Sequence, residues 1–133
     1  MNKETSELEN LISNMNPILN DADYVFCAVS DISGIDLNSI VMQFKEKEGL
    51  TLIISKSEAD KLGLVYEYVA SWITLSVQSQ LTAVGFTSAF SKVLSDQNIS
   101  CNVVAALHHD HIFVNNSDAA RAMEALRKFQ IKQ

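Results

Sequence analysis

The stretch Gln80–Val114, QLTAVGFTSAFSKVLSDQNISCNVVAALHHDHIFV, decides how the rest of the chain is read. Gly85 sits in a short loop at its start, and Phe86, Ala89, Phe90, Val93 and Leu94 then recur at the spacing of one helical face, with Lys92, Ser95 and Asp96 elsewhere. From Ile99 the period falls to two: Ile99, Cys101, Val103, Ala105 and Leu107 alternate with Ser100, Asn102, Val104, Ala106 and His108. The run turns at His109-Asp110, and Ile112 and Val114 continue the inner face of a hairpin. A loop, a helix and a pair of strands in this order present unpaired backbone donors at the helix start, which is a binding geometry more than a catalytic one.

Beyond the hairpin, Ala119, Ala122, Met123 and Leu126 restore the helical spacing with Phe129 near the same stripe, and upstream Trp72–Gln78 alternates as a strand. The predicted order is strand, helix, strand, strand, helix. At the N-terminus, Leu8, Leu11, Ile12, Met15 and Leu19 predict a helix beginning near residue 6, with Ser6 and Glu9 as a capping box. Pro17 threatens its end, and Asn20-Asp21-Ala22-Asp23 reads as a break. Tyr24–Ser30 follows as a strand apolar on both faces, then a turn at Asp31–Gly34. Ser39–Phe44 and Leu50–Ile54 form a hairpin around the charged Lys45–Gly49 turn. Ser55–Leu62 is a short helix with a Ser55/Glu58 capping box and Gly63 as its stop. Val65–Gln78 is read as one long strand serving both halves, with no flexible linker.

LTAVGF (Leu81–Phe86), ISCNVVAAL (Ile99–Leu107) and HHDHIFV (His108–Val114) resemble the C-terminal half of a small, functionally uncharacterised bacterial family with tandem ACT-like domains. The resemblance is most specific over Trp72–Phe129. It implies an α+β, ferredoxin-like βαββαβ fold, duplicated in tandem, with antiparallel sheets carrying helices on one face. It also implies a regulatory module whose units pair across an interface and often hold a free amino acid there.

An internal repeat agrees with a tandem reading. TLIISKSEA (Thr51–Ala59) lies over HIFVNNSDA (His111–Ala119) without a gap, pairing Ser57 with Ser117, Glu58 with Asp118 and Ala59 with Ala119. The first strands, from Tyr24 and from Trp72, align at a shorter offset, and the difference is about the length of the Gly85–Gln97 helix. The expected division is residues 1–64, an N-terminal helix plus a shortened ACT-like unit lacking its first helix, and residues 65–133, a complete one sharing the strand 65–78. The Leu8–Leu19 helix is then available to cover the first unit's sheet.

The chain has 133 residues, 47% of them hydrophobic and 20% charged, enough to bury a substantial core. A net charge of −6 and the absence of any lysine/arginine cluster argue against a nucleic-acid or anionic-membrane surface. MNKETSELEN lacks an apolar signal core and no apolar run approaches the roughly 18 residues of a membrane span, so a cytoplasmic protein is expected. Cys27 and Cys101 lie far apart within apolar strand patterns and read as small buried hydrophobes, with no metal or redox spacing.

Gly85 is the leading site candidate, because a residue without Cβ lets a carboxylate approach free N–H groups at the positive end of a helix dipole. The plainer alternative is a glycine needed only for the turn. The ligand-binding set is Thr82, Ala83, Val84, Gly85 and Phe86, with Asn102 and Val103 on the next strand carried over from where the family's ligands lie. The Asp31–Gly34 turn occupies the corresponding loop of the first half and reads as an ordinary Asx-type turn. His108, His109, Asp110 and His111 invite a metal reading, but consecutive residues alternate in direction and do not converge, so no metal or cofactor is expected. No catalytic constellation is visible, and a non-enzymatic role is expected. Tyr66, Tyr68 and Trp72 share a parity, and Phe26, Val104 and Phe113 make the second sheet face apolar as well. A homodimer is therefore expected, with a ligand-sensing function preferred and a purely structural or protein-interaction dimer as the alternative.

Overall fold

In the computed structural model, residues 3–132 are described, with side chains from Glu7 onward. Two compact units form: Asp21–Ser71, and Met1–Asn20 together with Trp72–Gln133. In chain order the elements are α1 (Lys3–Ser13), β1 (Pro17–Val29), β2 (Ile40–Glu46), β3 (Gly49–Ser55), α2 (Lys56–Leu62), β4 (Val69–Leu75), α3 (Phe86–Asp96), β5 (Asn102–Ala105), β6 (Asp110–Asn115) and α4 (Ala119–Ile131).

Within the first of these units β1 pairs antiparallel with β3 and β3 with β2, setting Val25 against Ile54 and Cys27 against Leu52. That parity buries Val25, Cys27 and Ile54 with Ala59 of α2. Phe26 and Tyr68 meet edge-on with ring centroids 6.1 Å apart. Between β1 and β2 the chain makes the expected turn at Asp31–Gly34, where the Asp31 carboxylate accepts from the Ser33 amide at 2.8 Å, and then a 3-10 turn, Leu37–Ser39, whose start is capped by the Asp36 carboxylate. Ser55 caps α2 by accepting from the Glu58 amide at 3.3 Å, and Gly63 ends it in the left-handed conformation.

The other unit contains the larger core. Ile73 and Leu75 of β4, Phe86, Phe90 and Leu94 of α3, Ile112 and Val114 of β6, and Ala122, Met123 and Leu126 of α4 all bury into it. β5 pairs antiparallel with β6. On the opposite face Trp72 stacks on Phe113 at 5.9 Å. Ser55 and Asn115 are equivalent by the sequence repeat, and both accept from a backbone amide at the start of the following helical turn. The β2–β3 and β5–β6 turns likewise occupy equivalent places in their units.

Four expectations are corrected. The N-terminal helix starts at Lys3 and ends at Ser13, and the Ser6 side chain lies outside the described residues. Asn20–Asp23 is no break but the middle of β1, with Pro17 in the first strand position, where a missing N–H is tolerated. There the Asn20 amide donates to the Trp72 carbonyl at 3.0 Å and to Thr74 Oγ1 at 3.2 Å, a long-range satisfaction that local propensity does not foresee. The long strand 65–78 shrinks to Val69–Leu75, because Leu64 donates its amide to Ala59 and Tyr66 its hydroxyl to Asp60, committing that segment to closing α2. Finally, α1 does not serve the first half: Leu8, Leu11 and Ile12 pack into the core containing Ile73 and Phe86.

Candidate functional site

β4 ends at Leu75, and the chain runs through Val77–Val84 before Gly85 turns it into α3. Gly85 has φ +94°, a conformation costly for any residue with a Cβ, and it caps α3 without a side-chain hydrogen bond. The helix's first carbonyl-to-amide bond runs from Ala89 back to Gly85, so the amides of its first turn have no intrahelical partner. A Cβ on Gly85 would stand 3.4 Å from Leu8 Cδ2 of α1, an approach close enough for the helix and loop to be in contact.

Two recesses flank this loop. The wider, of about 370 Å³, is walled by Glu7, Leu8 and Asn10 of α1 on one side and by Gln78, Gln80 and Thr82–Val84 on the other. The smaller, of about 60 Å³, reaches Phe86 and Thr87 of α3's first turn and the buried Asp110. Gln80 and Ala83 line both.

Of the residues selected from the sequence, Thr82, Ala83 and Val84 therefore line the wider recess, Gly85 caps α3, and Phe86 lines the smaller one while anchoring its ring in the core at 2% exposure. Asn102 and Val103 are not brought to either recess. Asn102 lies exposed on β5 with its amide donating to the Phe113 carbonyl at 3.2 Å, and Val103 packs towards the core. Glu7, Asn10, Gln78 and Asp110 were not foreseen.

The histidine turn brings its rings near one another, with His108 and His109 centroids 6.3 Å apart, but each ring engages a different partner. His108 Nδ1 lies 3.4 Å from Gln78 Nε2, and His109 Nδ1 donates to the Val77 carbonyl at 3.2 Å. The Ser79 amide donates to the His108 carbonyl at 3.2 Å, so the turn is pinned to the segment leading into the Gly85 loop. His111, its ring 6.4 Å from that of His109 between centroids, takes the Trp72 indole N–H on Nδ1 at 3.0 Å. Among the described residues no group of three or more His, Cys, Asp or Glu is placed to hold a metal ion. Burial pushes the Cys101 thiol up to about 11 and raises Cys27 as well, so neither is primed as a nucleophile.

Family models described as ACT domain match residues 4–71 and 67–128. The chain is a tandem ACT-domain protein. A structure of a Vibrio cholerae protein of unknown function, described as a possible transport protein, is 40% identical, with a TM-score of 0.84 over 96% of this ACT chain and 99% of that one. An Agrobacterium tumefaciens protein superposes at a TM-score of 0.61 with 14% identity, covering 86% and 87% of the two chains. The regulatory subunit of aspartate kinase from Thermus thermophilus, in its ligand-free form, gives 0.58 with 8% identity over 86% of this chain and 97% of that one. At such identities these last two share the fold with the ACT pair described here. No curated protein matches the sequence. Among the described residues, no helix of this ACT protein is long and apolar enough to cross a membrane.

Proposed function

We propose that this tandem ACT protein is a non-enzymatic regulatory module that binds a small carboxylate-bearing metabolite, an amino acid foremost, at the Leu81–Phe86 loop. The observation carrying this reading is the uncapped start of α3: a left-handed Gly85 leaves the first-turn amides to accept an anion beside a recess of about 370 Å³. The volume suits a single small metabolite. Membership of the ACT family supports the regulatory role, and the aspartate-kinase regulatory subunits with the same fold lend it a parallel. In mechanism, a ligand bound at the loop favours one arrangement of the protein through contacts absent in the other, and a partner reads that arrangement. Membership of the ACT family, whose units pair across an interface, supports a homodimer as the assembled form.

A melting-temperature panel of the common amino acids and divalent metals tests the proposal. A cognate amino acid at about 100 times its Kd adds roughly 2.7 kcal/mol, a rise of several degrees, and Gly85→Val removes it. If every amino acid leaves the transition where it was, the ligand-sensing role is wrong and the structural dimer stands in its place.

A further inference from the structure

The β5–β6 hairpin puts a carboxylate where its strand otherwise places hydrocarbon. Side chains alternate along β6, so Asp110 shares a face with Ile112 and Val114, which bury under the helices. Asp110 is accordingly only 7% exposed. It lines the recess of about 60 Å³ at the first turn of α3, and no other residue lining that recess carries a charge.

The Ser79 hydroxyl donates to the Asp110 carboxyl, but an ionised carboxylate has about four acceptor positions. None of the ion pairs among the described residues involves Asp110. Its carboxyl is raised above the usual range by burial, while the Ser79 hydrogen bond and the nearby His111 and His109 pull the other way. A buried carboxylate without a cation weakens a fold, and an amide or hydrocarbon of similar shape would not. The amide end of α3 and the Ser79 hydroxyl favour an acid here in part, and a positively charged visitor would satisfy the acceptor positions they leave.

We infer that Asp110 receives the cationic nitrogen of the ligand, an ammonium or guanidinium group, in the recess at the start of α3. This rests on the Gly85 loop being the ligand site and supplies the ligand's positive end. The site then selects zwitterions: a carboxylate faces the first-turn amides and an N–H cation meets Asp110. A recess of about 60 Å³ holds a charged nitrogen with a carbon or two, the volume of about two waters. Because Gln80 and Ala83 border both recesses, the rest of the ligand extends into the wider one.

The test splits the ligand into its ends. The ¹⁵N-labelled full chain is titrated at pH 7 with methylammonium chloride and, separately, with sodium acetate, using sodium chloride as the ionic-strength control. Methylammonium is expected to shift the amide signals of Ser79, Thr87 and Asp110, and Asp110→Asn to weaken that binding about tenfold or more. Asp110→Asn is also expected to melt at or above the wild-type temperature without ligand. Acetate is expected to shift Phe86 and Thr87 in both proteins. The assignment is overturned if wild type ignores methylammonium, if the Asn variant keeps the response, or if that variant melts lower, which would make the carboxylate a structural acceptor. Methylammonium shifts that depend on Asp110, with no response to acetate, would instead uphold Asp110 and reject the α3 terminus as the carboxylate site.

Discussion

Acidification should break the hydrogen bond between Trp72 and His111, and the chain carries its own reporter, because Trp72 is its only tryptophan. An indole N–H can only donate, and it lies 3.0 Å from His111 Nδ1, with Thr74 Oγ1 at 3.1 Å from the same nitrogen. Nδ1 must therefore accept, which leaves the imidazole proton on Nε2. A second proton would set N–H against N–H. Burial holds this imidazole below its usual pKa, the His109 charge adds to that, and Asp110 opposes it. A histidine lowered in the fold takes its proton first in the unfolded chain. Its contribution is thus full above about pH 6.5 and is lost as pH falls through the folded-state value. The bond at stake is worth about 0.5–1.5 kcal/mol, so a loss of about 1 kcal/mol is expected between pH 7.5 and pH 5. Asp110 titrates with the opposite sign: its raised carboxyl binds its proton first in the native state, so its contribution declines as pH rises above the unfolded carboxylate value. Urea transitions followed by Trp72 emission should therefore be compared in Asp110→Asn and in Asp110→Asn/His111→Gln, where only the first retains a titrating imidazole at this position. The rings of Trp72 and His111 are 5.6 Å apart between centroids, so the native emission should also drop as the imidazolium forms. A native emission midpoint at or above 6.5, or equal stability at the two pH values in the Asp110→Asn background, would refute the tautomer and the burial argument together.

Gly85→Ala should cost about 1–2 kcal/mol in urea unfolding, because φ +94° is strained for a residue with a Cβ while the new methyl meets Leu8 at an ordinary 3.4 Å. Gly63→Ala, at φ +67° with open space around it, should cost about the same and leave any amino-acid response intact. Calorimetric titration should give one ligand per chain, and two equivalent sites would contradict the difference between the units.

Much of the fold was legible because its signals are local. The Phe86–Leu94 stripe, the Ser55 cap and the Gly63 stop each act within one or two helical turns, and each stands where the sequence put it. The failures share a different cause. Leu19 continued the helical spacing of Leu8–Met15, yet Pro17 onwards is strand, with Ile18 and Leu19 exposed at 52% and 40%. The deciding contacts are long-range: Asn20 on Trp72 and Thr74, the Val77 amide on the Met15 carbonyl and the Ser76 hydroxyl on the Asn16 carbonyl. No window of sequence contains both partners of any of these bonds. The N-terminal helix was likewise assigned to the wrong half, since an apolar stripe announces burial without naming the surface that buries it.

The candidate site divides in the same way. Gly85 could be found, because a glycine between a strand pattern and a helix pattern is a local sign, while the walls that Glu7 and Asn10 supply come from some seventy residues away and leave none. Asp110 differs from both. Ile112 and Val114 already marked the inward parity, so an acid two residues earlier stood in a core position by sequence alone, hidden only by reading His109-Asp110 as the tip of the turn. The turn lies earlier, where the Ala106 amide donates to the His109 carbonyl at 3.1 Å, and Asp110 is already strand. The repeat sharpens the point. Extending the match of Thr51 with His111 back by one residue sets Leu50 against Asp110, so the first unit keeps hydrocarbon where the second has a charge. That unit also has no α-helix between its first two strands, only the turns at Asp31–Gly34 and Leu37–Ser39, and so lacks an equivalent of the α3 terminus. Both the anion-facing and the cation-facing parts of the proposed site are therefore absent from the first unit, and duplication of the fold has not duplicated the chemistry.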